Sequence, residues 1–199
     1  MKMKNWMVAA ALTALGLSAG TLISQEGQPG PELMQQMMEA AQPGEEHELL
    51  KSLEGEWEQT YLMTMMPGAP EMEYQGTTRN RMILGGRFLE QRAEGTMGPQ
   101  TVQNLSVTGF DRRHGRFTTV GFDNLGTYSV SAEGQRDPDT GLIVMKGEDQ
   151  DLLGKQIYRF ELDIRSANEY VTSIIFTQLG PNTFEDGFKM VEIISRRKK

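Results

Sequence analysis

The stretch LKSLEGEWEQTY, Leu50 to Tyr61, divides the chain into two periodicities. Before Gly55 the apolar residues Leu49, Leu50 and Leu53 fall at helical spacing. After it they alternate: Trp57, Tyr61, Met63 and Met65 share one face of an extended segment, with Glu56, Glu58, Thr60 and Thr64 on the other. Glycine at the change of period lets the backbone turn sharply from helix into strand. The pattern predicts a strand that opens at Gly55, with Trp57 as its first inward residue.

Downstream, the period of two continues to the end of the chain. Met72, Tyr74, Gly76, Thr78, Asn80 and Met82 line a second strand, and further strands are predicted from Arg87 to Gly95, Thr101 to Asp111, Arg116 to Asp123 and Tyr128 to Glu133. Four more follow, from Leu142 to Glu148, Gln156 to Ile164, Tyr170 to Leu179 and Phe188 to Arg196. The connections are short and rich in turn residues, among them Asp137-Pro138-Asp139-Thr140-Gly141 and Gly180-Pro181-Asn182. Connections this short cannot carry parallel crossovers, so about ten strands must form an antiparallel meander. Closure of such a sheet removes its exposed edges. The expected fold is all-β: an antiparallel up-and-down barrel of about ten strands, preceded by one or two short helices.

Upstream, Glu45 to Leu53 reads as a short helix with acids in its first turn, stopped by Gly55. Pro31 at a first helical position opens another, with Leu33, Met34, Met37, Met38 and Ala41 on one face and Pro43-Gly44 at its end. Ser24 to Pro31 is polar and glycine-rich and reads as a linker. At the start, Lys2 and Lys4 precede the uncharged run Trp6 to Leu17 and the small residues Ser18, Ala19 and Gly20, the pattern of a signal peptide. A membrane anchor would need roughly 20 apolar residues, which this stretch reaches only by counting Gly, Ser and Thr. The expected organisation is a signal peptide over 1–24, a linker and helical lead-in over 25–53, and a barrel over 54–199. It implies an exported chain, periplasmic or secreted, without a stable membrane anchor after cleavage.

The net charge is −7, from 20 basic and 27 acidic residues, and Arg196-Arg197-Lys198-Lys199 gathers basic charge at the end. An acidic body repels phosphate backbones, so nucleic acid is not an expected partner. The chain has no cysteine, which excludes disulfides, thiolate metal sites, a cysteine nucleophile and a lipid-modified cysteine.

A glycine before a tryptophan that opens the first strand, with Arg196 or Arg197 of the last strand able to lie over the indole, resembles the calycin superfamily of lipocalins and fatty-acid-binding proteins. A closer resemblance covers nearly the whole expected mature chain. Pro43-Gly44, His47, Leu49-Leu50, Gly55-Glu56-Trp57, Pro67-Gly68-Ala69-Pro70, Met82-Ile83-Leu84-Gly85-Gly86-Arg87-Phe88-Leu89, Thr108-Gly109-Phe110-Asp111 and Met190-Val191-Glu192-Ile193 resemble the bacterial family DUF1579. The run Met82 to Leu89 is the most specific of these. The resemblance implies a calycin-like fold and, in many members, export; the family supplies no agreed catalytic or binding residues.

His47 and His114 are the only histidines, one in the helical lead-in and one in a polar turn, which argues against a haem ligand at the barrel mouth or a zinc site. Asp137-x-Asp139-x-Gly141 reads as a hairpin turn rather than a calcium loop. No Gly-x-Ser-x-Gly elbow and no phosphate loop is present, and no cofactor is expected.

The inward face is more informative. Tyr61, Tyr74, Thr78 and Asn80 alternate with Met63, Met65, Met72 and Met82, the third strand adds Gln91 or, in the other register, Glu90 and Arg92, and Trp57 and Arg196 stand at the closed end. Trp57, Tyr61, Tyr74, Thr78, Asn80, Arg92 and Arg196 are therefore the candidate ligand-binding residues of the interior. A mostly apolar pocket with a few convergent polar groups suits a small apolar or amphipathic ligand. The same residues suit a filled core, since methionine fits irregular gaps and the polar groups can satisfy one another. Segments such as Ser173 to Phe176 and Met190 to Ile194 are apolar on both faces, so the helices or a second copy of the chain must cover part of the outside. Three readings follow: a small-molecule-binding barrel without catalysis, a filled barrel that dimerises, and a barrel isomerase or hydrolase.

Overall fold

Gly55 has a φ of 125°, a conformation a side chain resists, and a Cβ at this position would lie 2.7 Å from Arg197 Nη1. From this hinge the chain runs into β1 (Gly55–Met63) and continues through β2 (Met72–Ile83), β3 (Phe88–Met97), β4 (Gln100–Asp111) and β5 (Arg116–Asp123). Then come β6 (Ser129–Arg136), β7 (Ile143–Asp151), β8 (Gly154–Ser166), β9 (Glu169–Leu179) and β10 (Asn182–Arg197). Every sequential pair is antiparallel, and β10 returns to pair with β1, closing a ten-strand barrel. The computed structural model describes residues 30–199. The expected signal peptide over 1–24 and the linker as far as residue 29 lie outside the described residues.

Helix α1 spans Pro31–Ala40, and a compact unit begins within it, at Glu39, and runs to Lys199. The helix has Glu32 in its first turn, and none of its residues is buried. Within that unit, α2 (Glu45–Lys51) packs on β2, β3 and β4 at one end of the barrel. Gly44 N–H donates to His47 Nδ1 over 3.0 Å, which satisfies one of the unpaired donors of the first turn. Arg87 Nη2 and Arg112 Nη1 reach back to Ala41 O (2.9 Å) and Gln42 O (3.0 Å), tying the chain before α2 to the strand ends. Arg87 follows a turn in which Leu84, Gly85 and Gly86 all have positive φ. The Met82 to Leu89 run is thus a β2–β3 turn built to aim an arginine at the lead-in.

The expected strand boundaries differ from the observed ones mainly at the end. β10 begins at Asn182 instead of Phe188, with register shifts between Thr183 and Phe188 and between Lys189 and Val191. These bulges also bear on the strands that are apolar on both faces. Val171, Ser173 and Ile175 point outward yet are buried. The bulged β10 main chain comes against Ile175: a Cβ at Gly187 would sit 2.6 Å from Ile175 Cγ2 and 3.2 Å from Arg159 Nη1. The ion pairs Arg159–Glu161 and Lys189–Glu192 stand on the same outer surface. Long charged side chains with apolar stems and a bulged neighbour lie over part of this outer face.

Candidate functional site

The barrel is closed at the end where β1 begins. Trp57 is fully buried, its Nε1–H donates to Leu53 O over 3.0 Å, and Leu50 and Leu53 of the lead-in are buried with it. Arg197, the cross-strand partner of Trp57 on β10, lays its guanidinium 4.1 Å from the indole centroid. That guanidinium donates to Ser52 O (2.9 Å), Glu54 O (2.7 Å) and Ala167 O (2.8 Å). These three carbonyls belong to the connection between α2 and β1 and to the β8–β9 turn, outside the strands. Above the indole, Tyr170 of β9 meets it edge to face with centroids 4.7 Å apart.

Tyr170 is the hub of a polar layer. Its hydroxyl accepts from Asn80 Nδ2 (3.1 Å) and Gln91 Nε2 (3.3 Å) and is within reach of Ser195. Asn80 also donates to Leu53 O (3.0 Å) and accepts from Thr78 Oγ1 (2.9 Å). On the other side Tyr61 Oη donates to Gln59 Oε1 (2.6 Å), and Gln59 Nε2 donates to Ser195 Oγ (3.2 Å). Burial pushes both phenols up, Tyr61 to about 12 with a further contribution from Tyr170, so the layer stays uncharged at neutral pH.

Over this layer lies a cavity of about 390 Å³ that reaches the opposite end of the barrel. Its two walls differ. On β8 and β9, Tyr158, Phe160, Leu162, Ile174 and Phe176 present large apolar surfaces, with Tyr158 in tilted or edge contact with both phenylalanines. On β3, β4 and β5, the lining includes the small residues Ala93, Gly95, Ser106, Thr108, Thr119 and Gly121, together with Gln91, Thr96, Met97, Val102, Asn104 and Asp123. Small residues here leave the room that the large ones opposite do not fill. Thr108 and Thr119 satisfy each other at 2.9 Å, and Tyr74 Oη finds only the thioether of Met72 at 3.0 Å. At the open end, Leu125 and Tyr128 of the β5–β6 loop line the mouth and are exposed, as are Met66 and Leu152 on neighbouring hairpin tips.

Of the residues singled out from the sequence, Tyr61, Tyr74 and Thr78 line the cavity. Trp57 and Asn80 are inside the barrel but below the cavity, as its floor. Arg92 and Arg196 are corrections, because both point outward. Asn80 pairs with Gln91, and Gln91 shares the inner face of β3 with Leu89 and Ala93, so Arg92 emerges outside and pairs with Glu90 at 3.0 Å. Arg196 stands opposite Glu58 on the outer face and pairs with Glu169 at 3.0 Å, which leaves the indole to Arg197. Met65 falls beyond the end of β1 and is exposed. Gln59, on the alternation of Trp57 and Tyr61, and Tyr170, on that of Thr172, Ile174 and Phe176, were legible from period two and were not singled out.

The remaining candidates have local roles. His47 is buried against Phe110, and His114 joins Arg113 on the Asp111 carboxylate in the β4–β5 turn. Asp137 Oδ1 accepts from the main chain of Asp139 (3.0 Å) and Thr140 (2.8 Å), the self-capped hairpin turn that its spacing predicts. Among the described residues no group of three or more His, Asp or Glu is placed to hold a metal ion.

No curated protein matches the chain. Among solved structures the chain is similar to a de novo designed fluorescence-activating β-barrel, at 13% identity and a TM-score of 0.42, over 75% of this chain and 96% of that one. The family model described as a protein of unknown function, DUF1579, matches residues 42–193, from the arginine-tied lead-in through the strand that closes the barrel, and the chain belongs to that family.

Proposed function

We propose that this protein is an exported carrier or receptor that holds a small apolar or amphipathic molecule inside its barrel and performs no chemistry on it. The observation that supports this reading is the cavity of about 390 Å³, apolar and aromatic on one wall, with a few polar groups converging at its base. Its polar side chains largely satisfy one another, and no nucleophile with an adjacent base stands among them. Export rests on the pattern from Lys2 to Gly20.

Native mass spectrometry of protein purified from its own host tests the reading directly, and a retained small molecule is the expected result. Gly121→Val supplies the control. A Cβ at Gly121 meets only Val130 Cγ2, at 3.4 Å, so the added side chain extends into the cavity at little structural cost. The variant is expected to fold normally and lose the ligand. Wild-type protein that carries nothing and offers no saturable site to the neutral dye Nile red would refute the proposal. N-terminal sequencing is expected to find a mature start between Ala19 and Gln25; an intact Met1 in a membrane fraction overturns export.

A further inference from the structure

The cavity has a chemical bias that its shape alone does not carry. Among the described residues its only charged lining residue is Asp123, at the mouth, whose carboxylate accepts the main-chain N–H groups of Leu125 (2.9 Å) and Gly126 (3.2 Å) and so closes its own turn. No Arg, Lys or His among them lines the cavity. Arg197 lies beyond the Trp57 ring, with three of its five N–H donors on main-chain carbonyls. Arg92 and Arg196 face the solvent side of the sheet in ion pairs.

At the base, Tyr61, Gln59, Gln91 and Tyr170 offer hydroxyl and amide groups, all neutral. Tyr61 Oη donates to Gln59, so its lone pairs remain for a donor. Tyr74, directly opposite Tyr61 in the β1–β2 ladder, turns its hydroxyl the other way, onto the thioether of Met72 toward the open end, and stands in the wall above the base. The free lone pairs of Tyr61 and the second amide N–H of Gln91 match a hydroxyl or a carbonyl. A carboxylate or phosphate in the same place would lose its hydration with no cation to replace it.

Resting on the carrier reading above, we infer that the barrel selects an uncharged amphiphile, with an alcohol, ester or ketone group at the Tyr61–Gln91 base and its apolar body against the Tyr158–Phe160–Phe176 wall. Fatty acids and other anionic lipids are rejected by the absence of an inward cation.

Displacement of Nile red by ten-carbon ligands of matched chain, below their micellar concentrations, separates the possibilities at neutral pH. Decanol and methyl decanoate are expected to displace the dye at concentrations at least about tenfold below those needed for decanoate or decyltrimethylammonium, since an unpaired charge is costly to bury. Decanoate that competes as well as decanol overturns the ligand class while leaving the carrier reading intact. The ammonium ligand binding best also overturns it, by making Asp123 the determinant. Failure of Nile red itself to saturate removes the carrier reading and this inference with it.

Discussion

The two ends of the barrel are built on opposite principles. At the closed end, Trp57, Leu50, Leu53 and Tyr170 are all essentially inaccessible, and main-chain carbonyls of the α2–β1 connection and the β8–β9 turn are taken by the Arg197 guanidinium. At the open end, the hairpin tips expose Met66, Leu125, Tyr128, Leu152 and Leu153. A closed end needs one large side chain that fills the taper of the strands and one cation that satisfies the carbonyls beside it. An open end needs only loops, and these tolerate apolar tips that would be costly elsewhere only by exposure. On the proposed carrier reading, stability and binding occupy different parts of the interior, so substitutions should separate them.

The largest effect is expected at the closed end. Trp57→Ala removes the indole from a fully buried site and should lower unfolding free energy by about 3–5 kcal/mol in chemical denaturation. A loss below about 1 kcal/mol would break the comparison by making the floor dispensable.

Arg197→Ala should cost about 1–3 kcal/mol, because it frees the part-buried Glu54 carbonyl and two exposed ones as well as the indole face. Arg196→Ala, one residue earlier and on the outer face, should stay within about 0.5 kcal/mol. Equal losses at the two positions would mean that the register of β10 against β1 is wrong.

His47 gives the closed end a pH dependence. Burial lowers its pKa below 6.5, with further lowering by Arg112 and Arg87, against the smaller opposing effects of Glu46 and Glu48. Because the folded value lies below the unfolded one, the native state disfavours the proton. Stability from this group is fully present above about pH 6.5 and is lost as pH falls through the folded pKa. Protonation also removes the acceptor for Gly44 N–H. The decline should be reduced in His47→Asn when denaturation midpoints are compared between neutral and mildly acidic pH, and an unchanged decline would exclude His47 as its source.

The smallest effect on stability belongs to the cavity. Gly121→Val should change unfolding free energy by less than about 1 kcal/mol while abolishing saturable dye binding. Thr78 is the poorer choice for the same test, since its hydroxyl is tied to Asn80 and to Arg92 O. A Gly121→Val protein that binds the dye unchanged would place the dye outside the barrel.

The sequence by itself determined that the chain forms a closed antiparallel barrel, where it begins and which tryptophan seals it. Those conclusions rest on local rules: period two, turn residues at regular intervals, and a glycine at the change from helix to strand. Sequence also narrowed the inward face of β1 and β2 to Tyr61, Tyr74, Thr78 and Asn80. It left β3 in two registers, because Glu90-Gln91-Arg92 presents hydrogen-bonding groups on both faces, and only the pairing of Asn80 with Gln91 turned the arginine outward. The same holds at the last strand, where Arg196 and Arg197 are equivalent until the ladder with β1 sets Arg197 opposite Trp57. Whether the interior was full could not be read at all. That depends on the sum of side-chain volumes across strands distant in sequence, and here the glycines, alanine and small hydroxyl residues of β3 to β5 face the aromatic residues of β8 and β9 across a gap that tertiary closure alone defines.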